Sequence, residues 1–371
     1  TDQIAAIAVD DLVKLTTAQM VALSSAQIPA FTTDQLVTLT SAQIRAIETL
    51  DLQQLTTAQL VSLTSVQVPV LTTAQVVALT TAQAAALTTD QVNKLTTAQV
   101  AAIQTADLEK MTTAQIVALT TDQVPALTVG QVENLTTAQI AAIQTADLEK
   151  MTTAQIAGLS SVQISALTTD QLIKLTTDQV QAIQTLDLQQ MTTGQIAALI
   201  DGQVPVLTAA QVVALTTAQA AALTTNQVSK LTTAQVAAIE TADLVKMTTA
   251  QIVALSTDHA SALTVSQVGS LTTAQIAAIE TADLVKMTTA QIAGLTSVQI
   301  SALTTDQVVK LTTDQIQAIQ TLDLQQMTTG QIAALTDTQV PVVTNAQIVA
   351  LTTAQAAALT LNEVSKLTTE Q

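Results

Sequence analysis

The sequence predicts an all-α fold, an α-solenoid or superhelix of very short capped helices with one helix per eight residues. Three observations predict it. The chain is one octad rewritten with no slip in register, each octad carries a helix-capping pattern, and its charges are sorted to opposite ends of the unit.

The register is set with Leu71–Ala78, LTTAQVVA, taking Leu71 as place one. Place one is Leu, Ile or Met throughout, apart from Phe31 and Val343. Place five is Gln or Asp, with His259 and Glu363 as departures. Place six is Val, Ile or Leu, with Met20 and the alanines Ala84, Ala220, Ala260 and Ala356 as exceptions. Self-similarity at a short fixed period marks a solenoid whose length is set by repeat number.

Thr-x-x-Gln across places two to five is a capping box: the Thr hydroxyl accepts from the backbone N–H three residues on, and the Gln side chain reaches back. Thr, Val and Ile also favour strands, and charge placement decides between the two. All ten lysines, from Lys14 to Lys366, occupy place eight, and every carboxylate except Glu109, Glu133 and Glu149 falls in places two to five. Acid at the start and base at the end is what a helix dipole favours, by about 0.3–1 kcal/mol per charge, and a strand has no comparable dipole. Each octad therefore reads as a helix of about a turn and a half, ~9 Å long at 1.5 Å per residue. One continuous helix fails on phase, because eight residues rotate the apolar stripe by about 80° per repeat. Helices this short need neighbours to hold them, so places one and six are the expected core, helped by place eight where it is Ala.

The expected domain organisation is a single continuous array over residues 1–371, about 46 octads, with a higher-order repeat. The stretches that begin at Leu71, Leu207 and Val343 are near copies, 136 residues or seventeen octads apart. A variant octad, I-x-T-x-D-L, starts at Ile103, Ile143, Ile183, Ile239, Ile279 and Ile319, and a Met-led octad follows each. All five prolines, Pro29, Pro69, Pro125, Pro205 and Pro341, stand at place seven. Pro there removes a helical N–H and pushes place six out of the α region, so these octads are expected to be tighter turns. The octad Ile7–Lys14 lacks a Thr or Ser cap. Variant octads recur at odd spacings, which alternating up-down helix pairs accommodate poorly; a coil in which every octad is equivalent is expected instead. Both termini fall inside an octad, as expected for a segment of a longer protein.

Composition narrows the function. The chain has no Cys, Trp or Tyr, Phe31 is its one aromatic residue, and its net charge is −17. Nucleic-acid binding needs clustered cations and stacking groups, and neither is present. Thr and Gln or Asp interrupt every octad, so no apolar run approaches the ~18 residues of a membrane span. His259, beside Asp258, is the one histidine and reads as a polar substitution at a helix start rather than a metal or catalytic group. Asp10–Asp11 is the closest carboxylate pair, and the remaining acids recur with the octads as solvated helix starts. The glycine-rich calcium nonapeptide and the EF-hand spacing are absent. Methionine at place one reads as core filling, and the Thr pairs read as caps rather than an ice-binding face. No catalytic, cofactor or metal residue is assigned, and the chain is expected to be non-enzymatic.

LTTAQVVA resembles the opening of a TAL-effector repeat, LTPEQVVA, in which a helix starts just after the Thr; the base-reading dipeptide of that family has no counterpart in this chain. Across its whole length the chain is similar to the LTTAQ-type repeat regions of very large bacterial exported proteins, labelled adhesins or haem-utilisation proteins. That resemblance implies an extracellular or cell-surface location and a stalk or filament role. It does not imply haem binding, since the segment lacks spare His, Cys or Tyr. The expected function is an extracellular rod or stalk. The alternatives are a subunit that self-associates into a filament or sheath, or a solenoid that takes a peptide or glycan in its groove. A binding module should show an exposed patch that breaks the octad rule, and none is apparent in the sequence.

Overall fold

A computed structural model describes residues 2–371. Among the described residues the regular structure is helical, 41 short α-helices and four 3-10 turns, with no strand. Contacts divide the chain into two compact units, one ending at Gln190 and the other beginning at Met191. The octad register runs through that junction unbroken in the sequence, and both units are built alike.

One octad shows how the sequence makes its helix. Thr72 is extended, its hydroxyl accepts from the Gln75 N–H at 3.1 Å, and its own N–H donates to Gln75 Oε1 at 2.8 Å. The helix runs Thr73–Val77, and Leu79 N–H closes it on the Val76 carbonyl at 3.2 Å. The next helix, Thr81–Ala86, ends at Leu87, where the chain is extended again (φ −52°, ψ 134°). Places one and two, both extended, thus redirect the chain between helices. Among the described residues no φ is positive, so the link uses no left-handed residue and needs no glycine.

The core is a thin apolar layer. Place one and place six are buried along the array, as Leu71, Val76, Leu79 and Val92 illustrate. Place eight is half-buried where it is Ala, as at Ala78 and Ala102. The prolines give tighter turns, as their chemistry requires. Ile28–Ala30, Val68–Val70, Val124–Ala126 and Val340–Val342 are 3-10 turns, and the octad of Pro205 holds only turns. Place six stays buried through them, at Ile28, Val68, Val124, Val204 and Val340, so the layer continues. Around Val9–Leu12 no side chain caps the helix at Ala8.

Within each unit the helices pack on those three octads before and three octads after them. Thr81–Ala86 lies on Thr105–Lys110, Thr153–Ala157 on Thr177–Ala182, and Thr257–Ala262 on Thr281–Lys286. Within each unit the chain is therefore a coil of equivalent short helices rather than a stack of up-down pairs, with between three and four octads in each turn.

Candidate functional site

Place five carries the chemistry that joins one turn to the next. A Gln there could have been a capping residue and no more, and the sequence gives it no further role. The structure gives it a second one. Gln75 keeps Oε1 on its own cap and sends Nε2 to the carbonyls of Ile44 and Ile47, both at 2.8 Å. Those acceptors lie 31 and 28 residues earlier, at place six and the following place one. The same fork recurs at Gln43, Gln99, Gln155, Gln235 and Gln355, among others. The glutamines are buried, so each fork satisfies polar groups that water cannot reach. A signal for this was present: capping accepts Glu as readily as Gln, yet Glu stands at place five only at Glu363. Glutamate cannot donate to two carbonyls.

The departures at place five show the same logic. His259 is buried, its Nδ1 accepts from Ser256 N–H at 3.1 Å, and its Nε2 lies 2.7 Å from the Leu231 carbonyl, 28 residues back. The imidazole reproduces the cap and one arm of the Gln fork, and the network assigns the proton to Nε2. At Glu363 one oxygen takes the Thr360 N–H, while Oε1 is buried with no hydrogen-bond partner.

In the I-x-T-x-D-L octads the short Asp replaces Gln, and where place two is Gln the lateral donor moves there. Gln144, Gln184 and Gln320 send Nε2 to the carbonyls of Val117, Ala157 and Ala293 at 2.9, 2.7 and 2.8 Å, each 27 residues back. Asp107 and Asp187 accept from the hydroxyls of Thr81 and Ser161 at 2.7 and 2.6 Å. Burial raises the Asp147 carboxyl above its ordinary value. Asp283 is raised by burial first and by the Glu280 charge second, with His259 acting in the opposite direction. Asp10 and Asp11 are exposed, and Asp11 pairs with Lys14 at 2.9 Å. Among the described residues, no group of three or more His, Cys, Asp or Glu is placed to hold a metal ion, and no helix is long and apolar enough to cross a membrane.

The surface does hold a patch that breaks the octad rule, contrary to the expectation from sequence. Leu50, Leu186 and Leu322, at place four, are 68%, 69% and 70% exposed. Val162 and Val298, also at place four, stand on the helices three octads before Leu186 and Leu322. Val162 and Leu186 line one shallow cleft with Ser161, Ser165, Gln189 and Gln190, none of them charged. Place four lies outside the expected core at places one and six, so the large apolar residues there were the signal in the sequence for this patch.

A family model described as the ALTTAQ repeat matches the chain ten times, at residues 4–41, 44–81, 70–97, 100–137, 140–177, 180–217, 202–233, 236–273, 276–313 and 316–353. No curated protein matches the chain.

Proposed function

The chain belongs to the ALTTAQ repeat family, and from that premise we propose that it is a non-enzymatic structural array, an extracellular rod or stalk on a bacterial surface. One observation carries the reading: wherever the buried Gln fork forms it ties an octad to the octads three and four before it, at Gln75 as at Gln355. Such a chain is stabilised turn on turn, so its reach scales with repeat number. The exposed charges are mostly acidic, with a net of −17, which keeps an array soluble and spaced from other acidic surfaces. His259, which departs from the octad at place five, is taken up in the fold, on Ser256 and Leu231.

Negative-stain microscopy and small-angle scattering of the purified chain test the mechanical part: elongated particles are expected, lengthening in proportion as octads are added. A compact particle whose long dimension is insensitive to octad number would end the reading. Surface proteolysis of intact cells tests the location, and full protection of the array there would place it elsewhere.

A further inference from the structure

The helices of the I-x-T-x-D-L octads start without a side-chain cap, Thr105–Lys110 and Thr241–Leu244 among them. An ionised Asp at place five has no N–H to give, so these octads also lack the Gln fork onto the turn before. The octads that start at Ile103 and Ile239 hold the same place in two copies of the 136-residue repeat. Each follows, by three octads, one with Ala at place six, Ala84 or Ala220, and each Asp borders a small apolar cavity beside that Ala. They differ in what crosses the seam to the preceding turn. In the first, Gln104 Nε2 donates to the Val77 carbonyl, and the Thr81 hydroxyl donates to Asp107 at 2.7 Å. In the second, place two is Glu240, whose carboxylate cannot donate to the matching Val213 carbonyl. Among the described residues Asp243 takes no bond from Thr217, the counterpart of Thr81.

We infer that the seam between Thr241–Leu244 and the turn before it is a built-in opening point of the second unit, and that Glu240 sets it. The uncapped start, the missing fork and the cavity each remove cohesion there. The sister octad has all three as well, but Gln104 and Thr81 tie its turns together. Without those ties Thr241–Leu244 rests on Thr217–Ala222 by packing, with no side-chain hydrogen bond across the seam among the described residues. Each tie is worth about two- to tenfold in an opening equilibrium. The far side of the octad stays held, since Gln267 and Gln275 reach the carbonyls of Ile239 and Leu244 at 2.8 and 2.9 Å. The octad at Ile279 repeats the change with Glu280, and there burial first and the Glu280 charge second raise the Asp283 carboxyl. A Glu at place two thus opposes the buried Asp as well as removing a donor. In the rod proposed above, such a seam gives length first under load; that consequence rests on the rod reading, and the opening itself does not.

Hydrogen exchange of the 371-residue chain, read by mass spectrometry, tests it, with Glu240→Gln and Gln104→Glu as reciprocal variants. Each new residue already stands at that place in the sister octad, and circular dichroism checks that the helical fold is kept. In wild type the amides of Thr241–Leu244 should exchange at least about tenfold faster than those of Thr105–Lys110. They should also outpace Val265–Ser270 in the same unit, where the Gln267 fork is intact. Glu240→Gln should slow Thr241–Leu244 by about two- to tenfold, and Gln104→Glu should speed Thr105–Lys110 by a similar factor. Equal protection of Thr241–Leu244 and either comparison helix in wild type overturns the proposal. So does a Glu240→Gln variant that exchanges as wild type does. A chain that lengthens with octad number yet shows equal protection keeps the rod and loses the seam, and a compact particle with a fast seam does the reverse.

Discussion

Gly158 stands directly against Val129, so closely that a Cβ on Gly158 would lie 2.6 Å from Val129 Cγ1. Gly158 is at place eight, where Ala is common, and Val129 is at place three of the octad three before it, where Thr is the rule. Gly294 meets Val265 in the same way, 136 residues further on. Two departures from the octad thus compensate each other across one turn of the coil.

Gly158→Ala is therefore expected to destabilise, although Ala normally improves a helix by about 0.5–1 kcal/mol over Gly. Valine is stiff at χ1, and overpacking costs about 1–3 kcal/mol, so the clash wins. Adding Val129→Ala should restore most of the loss, giving a non-additive double-mutant cycle in urea melts. Additive effects would show that the two side chains do not meet.

Gln155→Glu keeps the cap but loses the donors to the carbonyls of Val124 and Leu127, which lie 3.0 and 2.7 Å from Nε2. Buried groups left unpaired cost about 1–3 kcal/mol each, so this nearly isosteric change should lower stability by at least about 2 kcal/mol. Glu363→Gln should act in the opposite direction, because it gives the orphaned Oε1 position a donor. Hydrogen exchange in the adjoining octads reads both, and equal protection in the Gln155 variant and wild type would refute the role of the fork.

Asp147 and Asp283 set a pH dependence. Both are raised in the folded chain from 3.8, so the unfolded chain loses these protons first. Their contribution is fully present below 3.8 and is lost as pH rises through the higher folded values. Asp147→Asn and Asp283→Asn should each raise stability at neutral pH and flatten its fall with pH just above 3.8. Melting curves across that window check it; a slope unchanged by both substitutions would contradict it.

Ala220 lies beside a small apolar cavity bounded by Val212, Leu215, Leu223 and Asp243. Place six is usually Val, Ile or Leu. Ala220→Val should fill the space and stabilise by about 0.5–2 kcal/mol, read as a rise in the urea midpoint. A loss would mean the surrounding layer is already tight.

Much was legible within eight residues. Thr72 and Gln75 announce a cap, Leu71 and Val76 announce a buried pair, and Pro69 announces a tight turn, because each of these effects acts between residues close in sequence. The sequence by itself thus determined the helices, their phase, the thin apolar layer and the equivalence of the octads. Only the tertiary structure decided which octads meet: Gln75 with Ile44 and Ile47, Gly158 with Val129, Ser161 with Asp187. Those partners lie 26 to 31 residues apart, a separation set by the pitch of the coil. Pitch arises from the extended links and the packing of whole helices together, and no pattern inside a single octad encodes it.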